Sequence, residues 1–337
     1  MKIKVWCVLF ALTIFSFVFP LATTYAIAES ETIFLGGEPI GIGLGGEGLI
    51  VTGFVDVITD EGTACPARES DISTGDVILS VNGEKIDTIS NFVKQIQNSA
   101  GKTVTLTVKR GEIVQNITLT PVTDTLTGLL KLGLTMKSGI NGIGTLTFVT
   151  DNGKFGALGH GIIDSDTGKP FFTDRGSVFS CRINGYKRAT NGSAGELSGT
   201  FLHRDHPIGI IGKCNEFGVY GHLDKNITAS KPIEVASAKE VKTGSALIYS
   251  TILGDTPKAY SVEIVKTANQ KRPQEKSMLI RVTDADLIAQ TGGILQGMSG
   301  SPIVQGGKLV GAVTHVLIND STLGYGLYID WMLQNIA

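Results

Sequence analysis

Gly297-Met298-Ser299-Gly300-Ser301-Pro302, running directly into Ile303-Val304, sets a serine between two glycines at the mouth of an apolar strand. A backbone that turns sharply there aims the amides of Gly297 and Ser299 at one point. Two such donors can hold the oxyanion of a tetrahedral intermediate. Glycine permits the turn and keeps side chains out of the path of whatever approaches the hydroxyl. The hexapeptide therefore reads as a nucleophile turn, with Ser299 as nucleophile and Gly297 and Ser299 as oxyanion donors. A plain Gly/Ser/Pro turn leading into a strand has the same composition. A base and an acid elsewhere in the chain decide between the two.

Upstream, 278–282 is an apolar strand ending at Thr283-Asp284, and a helical turn over 285–290 stops at Gly292-Gly293. Asp284 is the candidate acid, and it is equally placed to cap that helical turn; Asp286 competes with it. Downstream, 303–305 and 308–315 form a hairpin across Gly306-Gly307. His315 on that hairpin follows the serine and reads as a pocket or core residue. Further back, strands over 144–150 and 154–158 are joined by Asp151-Asn152-Gly153 and deliver Leu158-Gly159-His160-Gly161. A histidine between glycines can be approached closely, so His160 is the candidate base, although a turn histidine needs no chemistry. His160, Asp284 and Ser299 thus follow in the order base, acid, nucleophile, one of the known orders for such a triad.

The length of 337 residues suggests two domains. With 43 glycines and short strands recurring between turns, the chain reads as mainly β, a sandwich or barrel. Lys+Arg 29 against Asp+Glu 31, with no basic block, excludes nucleic acid as an expected partner. Lys2 and Lys4, the apolar run 5–18 and Ala26-Ile27-Ala28 read as an export signal over 1–28. A retained anchor, associating the chain with the membrane, is the alternative. Beyond Cys7, Cys65, Cys181 and Cys214 are an odd number and read as buried thiols, with a Cys181–Cys214 pair as the alternative. His203 and His206 have no clear third ligand, and no metal or other cofactor is expected.

The stretch Gly75-Asp76-Val77-Ile78-Leu79-Ser80-Val81-Asn82-Gly83 is strand then Asn-Gly turn. A helix over 89–99, capped from Asp87-Thr88, carries the apolar stripe Phe92, Val93 and Ile96, and strands over 103–109 and 114–119 follow. This order resembles a PDZ domain of the bacterial protease-associated kind. The resemblance implies a peptide ligand, held in a groove between Gly48, Leu49, Ile50 and Val51 and the helix from 89.

Leu158-Gly159-His160-Gly161, Val282-Thr283-Asp284, the long block from Thr291 to Ile303, Gly311-Ala312-Val313-Thr314-His315-Val316 and Gly324-Tyr325-Gly326 together resemble the sporulation stage IV B peptidase family. The resemblance implies a mainly β chain with an N-terminal PDZ domain followed by a chymotrypsin-like, double β-barrel serine peptidase domain. The expected layout is a leader over 1–28, a linker over 29–40, a PDZ domain over 41–123 and the peptidase over 124–337. It implies His160 as base, Asp284 as orienting acid and Ser299 as nucleophile. It further implies export to the space between the two forespore membranes, self-processing, and cleavage of a regulator of an intramembrane metalloprotease that activates a late sigma factor. The competing expectation is a catalytically inert, PDZ-containing peptide-binding scaffold.

Overall fold

The computed structural model describes residues 32–224 and 232–336. The expected export signal over 1–28 lies outside the described residues. Two closed circuits of antiparallel pairing organise the rest. In the first, Pro39–Phe54 pairs with Leu134–Thr150, followed in turn by Lys154–Ala157, Gly218–Leu223, Gly209–Asn215 and Gly176–Lys187, which returns to Pro39–Phe54. In the second, Gly244–Ser250 leads to Lys258–Thr267, Met278–Val282, Asp320–Tyr328, Lys308–Leu317 and Pro302–Gln305, which pairs back with Gly244–Ser250. Each circuit is a six-stranded barrel, and closure removes the open sheet edges that would otherwise recruit other chains.

Alternation fills the barrels. Tyr260, Val262 and Ile264 point inward along one strand while their neighbours face out. Ile248, Ile280, Ile303 and Val313 complete the second interior, and Ile40, Ile42, Phe155, Val178 and Val219 fill the first. Each fully buried side chain of this size contributes about 1.5–3 kcal/mol of transfer free energy.

Within the expected linker over 29–40, residues 33–35 and 39–40 are strand, and the first residues of the expected PDZ domain continue the second of these. Ile33–Leu35 pairs with Phe148–Thr150, and Pro39–Gly45 is the first strand of the first barrel. The alternation of Ile40, Ile42 and Leu44 with glycine is a period-two signal, and all three side chains are buried. The barrel therefore begins ahead of the PDZ strands, and the PDZ fold grows out of the connection between its first two strands. The ladder between Pro39–Phe54 and Leu134–Thr150 continues past the barrel as Ile50–Phe54 against 134–137. Val77–Val81, Val104–Arg110 and Ile113–Leu119 add to it there.

Within this lobe the helix Ile89–Asn98 starts at Thr88, whose hydroxyl accepts from Asn91 N at 3.2 Å. Phe92 and Ile96 are buried, whereas Val93, the third residue of the expected stripe, is exposed. Asp76 of the Gly-Asp-Val motif is fully buried and accepts from Ser73 N and twice from Arg110, each at 2.8 Å. That bidentate pair explains why the motif needs a carboxylate at this point.

Candidate active site and peptide groove

Leu158 and Gly159 both have positive φ, 69° and 73°, so the chain reverses sharply off the end of Lys154–Ala157. The reversal carries His160 out of the first barrel toward the second. A side chain at Gly159 would press on Thr314 Cγ2 at 3.1 Å and Ala312 Cβ at 3.4 Å, so the missing Cβ lets the two barrels meet. Leu158 is buried and holds a conformation uncommon for a branched residue, a local strain placed beside the site.

Ser299 lies on the turn entering Pro302–Gln305. Met298 N donates to Leu295 O, and the Ser301 amide and hydroxyl both donate to Met298 O, which closes the turn. Gly297 and Gly300 each have φ near +96°, and a Cβ on Gly300 would collide with the Thr145 carbonyl oxygen. Among the described residues neither the Gly297 nor the Ser299 amide donates to another protein group, so both remain available to an incoming oxygen. Three bonds pin the turn to the first barrel: Thr145 N to Ser299 O at 2.9 Å, Thr145 Oγ1 to Gly297 O at 2.9 Å, and Thr147 Oγ1 to Gly300 O at 2.7 Å. Sequence reasoning missed both threonines. Their signal was polar residues two apart in an apolar strand, on either side of Leu146, which packs into the first barrel.

His160 and Ser299 line one cleft of about 570 Å³ between the barrels, together with Gly297, Thr314 and His315. The Nδ1 of His160 is 2.7 Å from the Gly161 carbonyl oxygen. A carbonyl can only accept, so Nδ1 carries the proton and Nε2 keeps its lone pair as the potential base. Burial, reinforced by the neighbouring His315, pushes the His160 pKa down to about 4, against small opposing effects of Gly161 and Glu275. The two imidazole rings are 4.7 Å apart between centroids and tilted by 40°. Ser299 Oγ donates to Thr314 O at 2.7 Å rather than to the histidine.

Asp284 does not join them. Its Oδ1 accepts from Leu287 N at 2.9 Å and its Oδ2 from Ser261 N at 3.2 Å, making it the N-cap of the helix Ala285–Thr291. Neither Asp284 nor Asp286 lines the cleft. The tautomer-fixing contact expected from Asp284 is made by the Gly161 carbonyl instead. His315 forms a wall of the cleft, as a pocket residue would, and its Nδ1 is buried without a partner, like Thr314 Oγ1.

A second concavity, of about 400 Å³, lies in the PDZ lobe between the helix Ile89–Asn98 and the segment 130–136. Phe92, Val93, Gly133, Leu134 and Met136 are among its lining residues. The expected groove residues Gly48, Leu49, Ile50 and Val51 are not. Their strand is paired on both sides, Leu49 and Ile50 with Ile78 and Val77, and Ile50 and Val51 with Lys137 and Met136. Leu49 and Val51 are wholly buried. Leu132-Gly133-Leu134 supplies the apolar-Gly-apolar loop in their stead. Gly133 needs its φ of +77°, and its carbonyl accepts from Val55 N at 2.9 Å. Among the described residues the edge of 134–137 facing the helix pairs with no strand, as peptide addition requires.

Cys65, Cys181 and Cys214 are buried free thiols, and burial pushes the pKa of Cys181 and Cys214 up to about 11. Among the described residues no group of three or more His, Cys, Asp or Glu side chains converges on a possible metal position.

Residues 128–333 match the SpoIVB peptidase S55 family, and residues 50–120 match the PDZ domain family. A probable periplasmic serine endoprotease DegP-like of Bartonella henselae is 49% identical over 53 residues, covering 15% of this chain and 10% of the relative. The chain thus spans about a tenth of that relative's length. The Rv3671c protease of M. tuberculosis in its active form aligns at 15% identity over 59% of this chain and 75% of its own, with a TM-score of 0.34. The PDZ domain of an SdrC-like protein from Listeria monocytogenes aligns at 22% identity over 27% of this chain and 88% of its own, with a TM-score of 0.22.

Proposed function

The chain belongs to the SpoIVB peptidase S55 family, and on that premise we infer that it is a serine endopeptidase with Ser299 as nucleophile and His160 as base. The observation that carries this reading is the shared cleft, lined by His160 and Ser299, in which the amides of Gly297 and Ser299 donate to no other group among the described residues. In the reaction Ser299 Oγ leaves the Thr314 carbonyl, gives its proton to His160 Nε2 and attacks the substrate carbonyl. Gly297 N and Ser299 N hold the resulting oxyanion. The imidazolium returns the proton to the leaving amine, and water then releases the acyl group by the same route.

The family extends the reading to export, to action in the space between the forespore membranes during spore formation, and to self-processing. Its protein substrate in that setting is a regulator of an intramembrane metalloprotease, which the PDZ groove recruits as an extended peptide segment. The bond from Ser299 to Thr314 favours one competing reading, an inert scaffold in which the nucleophile is permanently engaged.

One experiment separates the two. The full chain, its Ser299→Ala form and its His160→Ala form are treated with a fluorophosphonate probe. Labelling of wild type alone, with all three proteins folded by circular dichroism, is the expected result. Wild type that stays unlabelled sinks the peptidase reading and leaves the peptide-binding scaffold.

A further inference from the structure

Among the described residues no aspartate, glutamate, lysine or arginine lines the cleft holding His160 and Ser299. Glu275 and Lys276 come near enough to act electrostatically on His160 and His315, yet neither lines it, and the Lys276 ammonium sits 4.9 Å over the Tyr325 ring. The rim carries two large exposed apolar side chains, Ile163 at 59% and Ile318 at 57% exposure. Apolar groups left in water beside an apolar recess are what a covering apolar ligand relieves.

The position of the oxyanion donors locates the recess for the attacked residue. A carbonyl oxygen held by Gly297 N and Ser299 N directs its own side chain between the segment before the nucleophile and the strand after it. Among the residues that line the cleft, Ile294 and Leu295 come from that segment and Thr314, His315 and Val316 from that strand. Ile294 is buried, and its Cδ1 lies 2.5 Å from where a Cβ on Gly324 would stand, so this side chain packs against the strand Asp320–Tyr328.

We propose that the cleft selects substrates with a small, uncharged, apolar residue on the attacked carbonyl, of alanine or valine size, and that Ile294 and Val316 limit its depth. The inference rests on the serine peptidase reading and adds the substrate class. A lysine or glutamate side chain placed there finds no counter-charge among the lining residues and loses its hydration, which is costly. A larger aromatic ring meets Ile294.

The test uses the full chain and tagged peptidyl diphenylphosphonates, which react with a serine nucleophile at a rate set by the side chain next to phosphorus. Alanine, valine, phenylalanine, lysine and glutamate analogues are compared, with Ser299→Ala as control and a fluorophosphonate lacking any side chain as reference. The alanine and valine analogues are expected to label at least about a hundredfold faster than the charged ones. Val316→Ala is expected to raise the phenylalanine rate relative to valine by about tenfold. Wild type that labels with lysine or glutamate within a few-fold of valine, or prefers phenylalanine, overturns the proposal. Labelling by the fluorophosphonate but by none of the peptide analogues overturns it alone. Failure of every reagent removes the peptidase reading and the proposal with it.

Discussion

Replacing Asp284 separates a structural cap from a catalytic acid. Both carboxylate oxygens are occupied by backbone amides, Leu287 N at 2.9 Å and Ser261 N at 3.2 Å. Asparagine keeps one oxygen acceptor and caps helices about as well as aspartate, so Asp284→Asn loses only the longer bond, about 1 kcal/mol. Asp284→Ala loses both, and caps removed in this way cost about 0.5–2 kcal/mol. In a fold of this size that is a fall in melting temperature of about 1–2 °C per kcal/mol. Chemistry should be nearly untouched, because His160 Nδ1 already donates to Gly161 O. Loss of an orienting acid, by contrast, lowers turnover by about ten-thousandfold. The assay is the fluorophosphonate labelling rate per folded molecule, paired with a thermal melt for each variant. The expected outcome is a rate within about threefold of wild type in Asp284→Asn, with a small drop in melting temperature. A thousandfold slower rate at an unchanged melt refutes the reasoning and requires Asp284 to reach His160 in the working enzyme.

Four further outcomes follow from the same geometry. His160 accepts a proton only when neutral and its pKa is held near 4, so labelling should stay full through neutral pH and fall as pH drops through about 4; a midpoint at the ordinary histidine value near 6.5 contradicts this. The sign for stability is the same: the unfolded histidine protonates first, so stability declines as pH falls from about 6.5 toward 4, which acid melts of wild type against His160→Gln can show. Gly300→Ala, forced to positive φ against the Thr145 carbonyl, should lose labelling and melt markedly lower, with strain of about 1–3 kcal/mol before the clash is added; a folded, fully active variant would mean the turn can move. Val93→Glu, on the exposed groove wall of the helix, should abolish binding of apolar-ended peptides by fluorescence polarisation, whereas substitutions at Gly48, set between paired strands, should act through folding instead.

Much of the site was legible because chemistry there constrains the backbone. Ser299 and His160 stand among glycines whose left-handed torsions and missing Cβ atoms the turns require, at Gly159, Gly297 and Gly300. Asp284 shows the limit of that logic. Chain order selects an acid between histidine and serine, but an N-cap also calls for aspartate, and only tertiary placement tells them apart. The groove failed for a related reason. Gly48-Leu49 and Gly133-Leu134 carry the same local pattern, and the pairing that buries the first and frees the second joins distant parts of the chain. Local propensity does not report which edge of a strand is taken. The first barrel strand was hidden by its glycines, although the alternation of Ile40, Ile42 and Leu44 was there to be read.

One element ties these misreadings together. The strand Leu134–Thr150 lends its first residues to the peptide groove and its later ones to the nucleophile turn. Leu134 and Met136 line the groove; Thr145 and Thr147 hold Gly297, Ser299 and Gly300 from the same backbone. The path between them is not uniform, since the ladder to Pro39–Phe54 shifts register between Thr135 and Met136 and again between Lys137 and Gly139. Irregular pairing of this kind concentrates twist and bending where it occurs. The ladder to Lys154–Ala157 shifts register too, between Leu146 and Phe148, next to Thr147, whose side chain is wholly buried against the second barrel. A peptide added along 134–137 would extend the sheet at one end of this strand, while three bonds from Thr145 and Thr147 hold Gly297, Ser299 and Gly300 at the other. The insertion of the PDZ lobe within the barrel hairpin is what makes this arrangement possible, because a lobe appended before or after the barrel would share no strand with the catalytic turn.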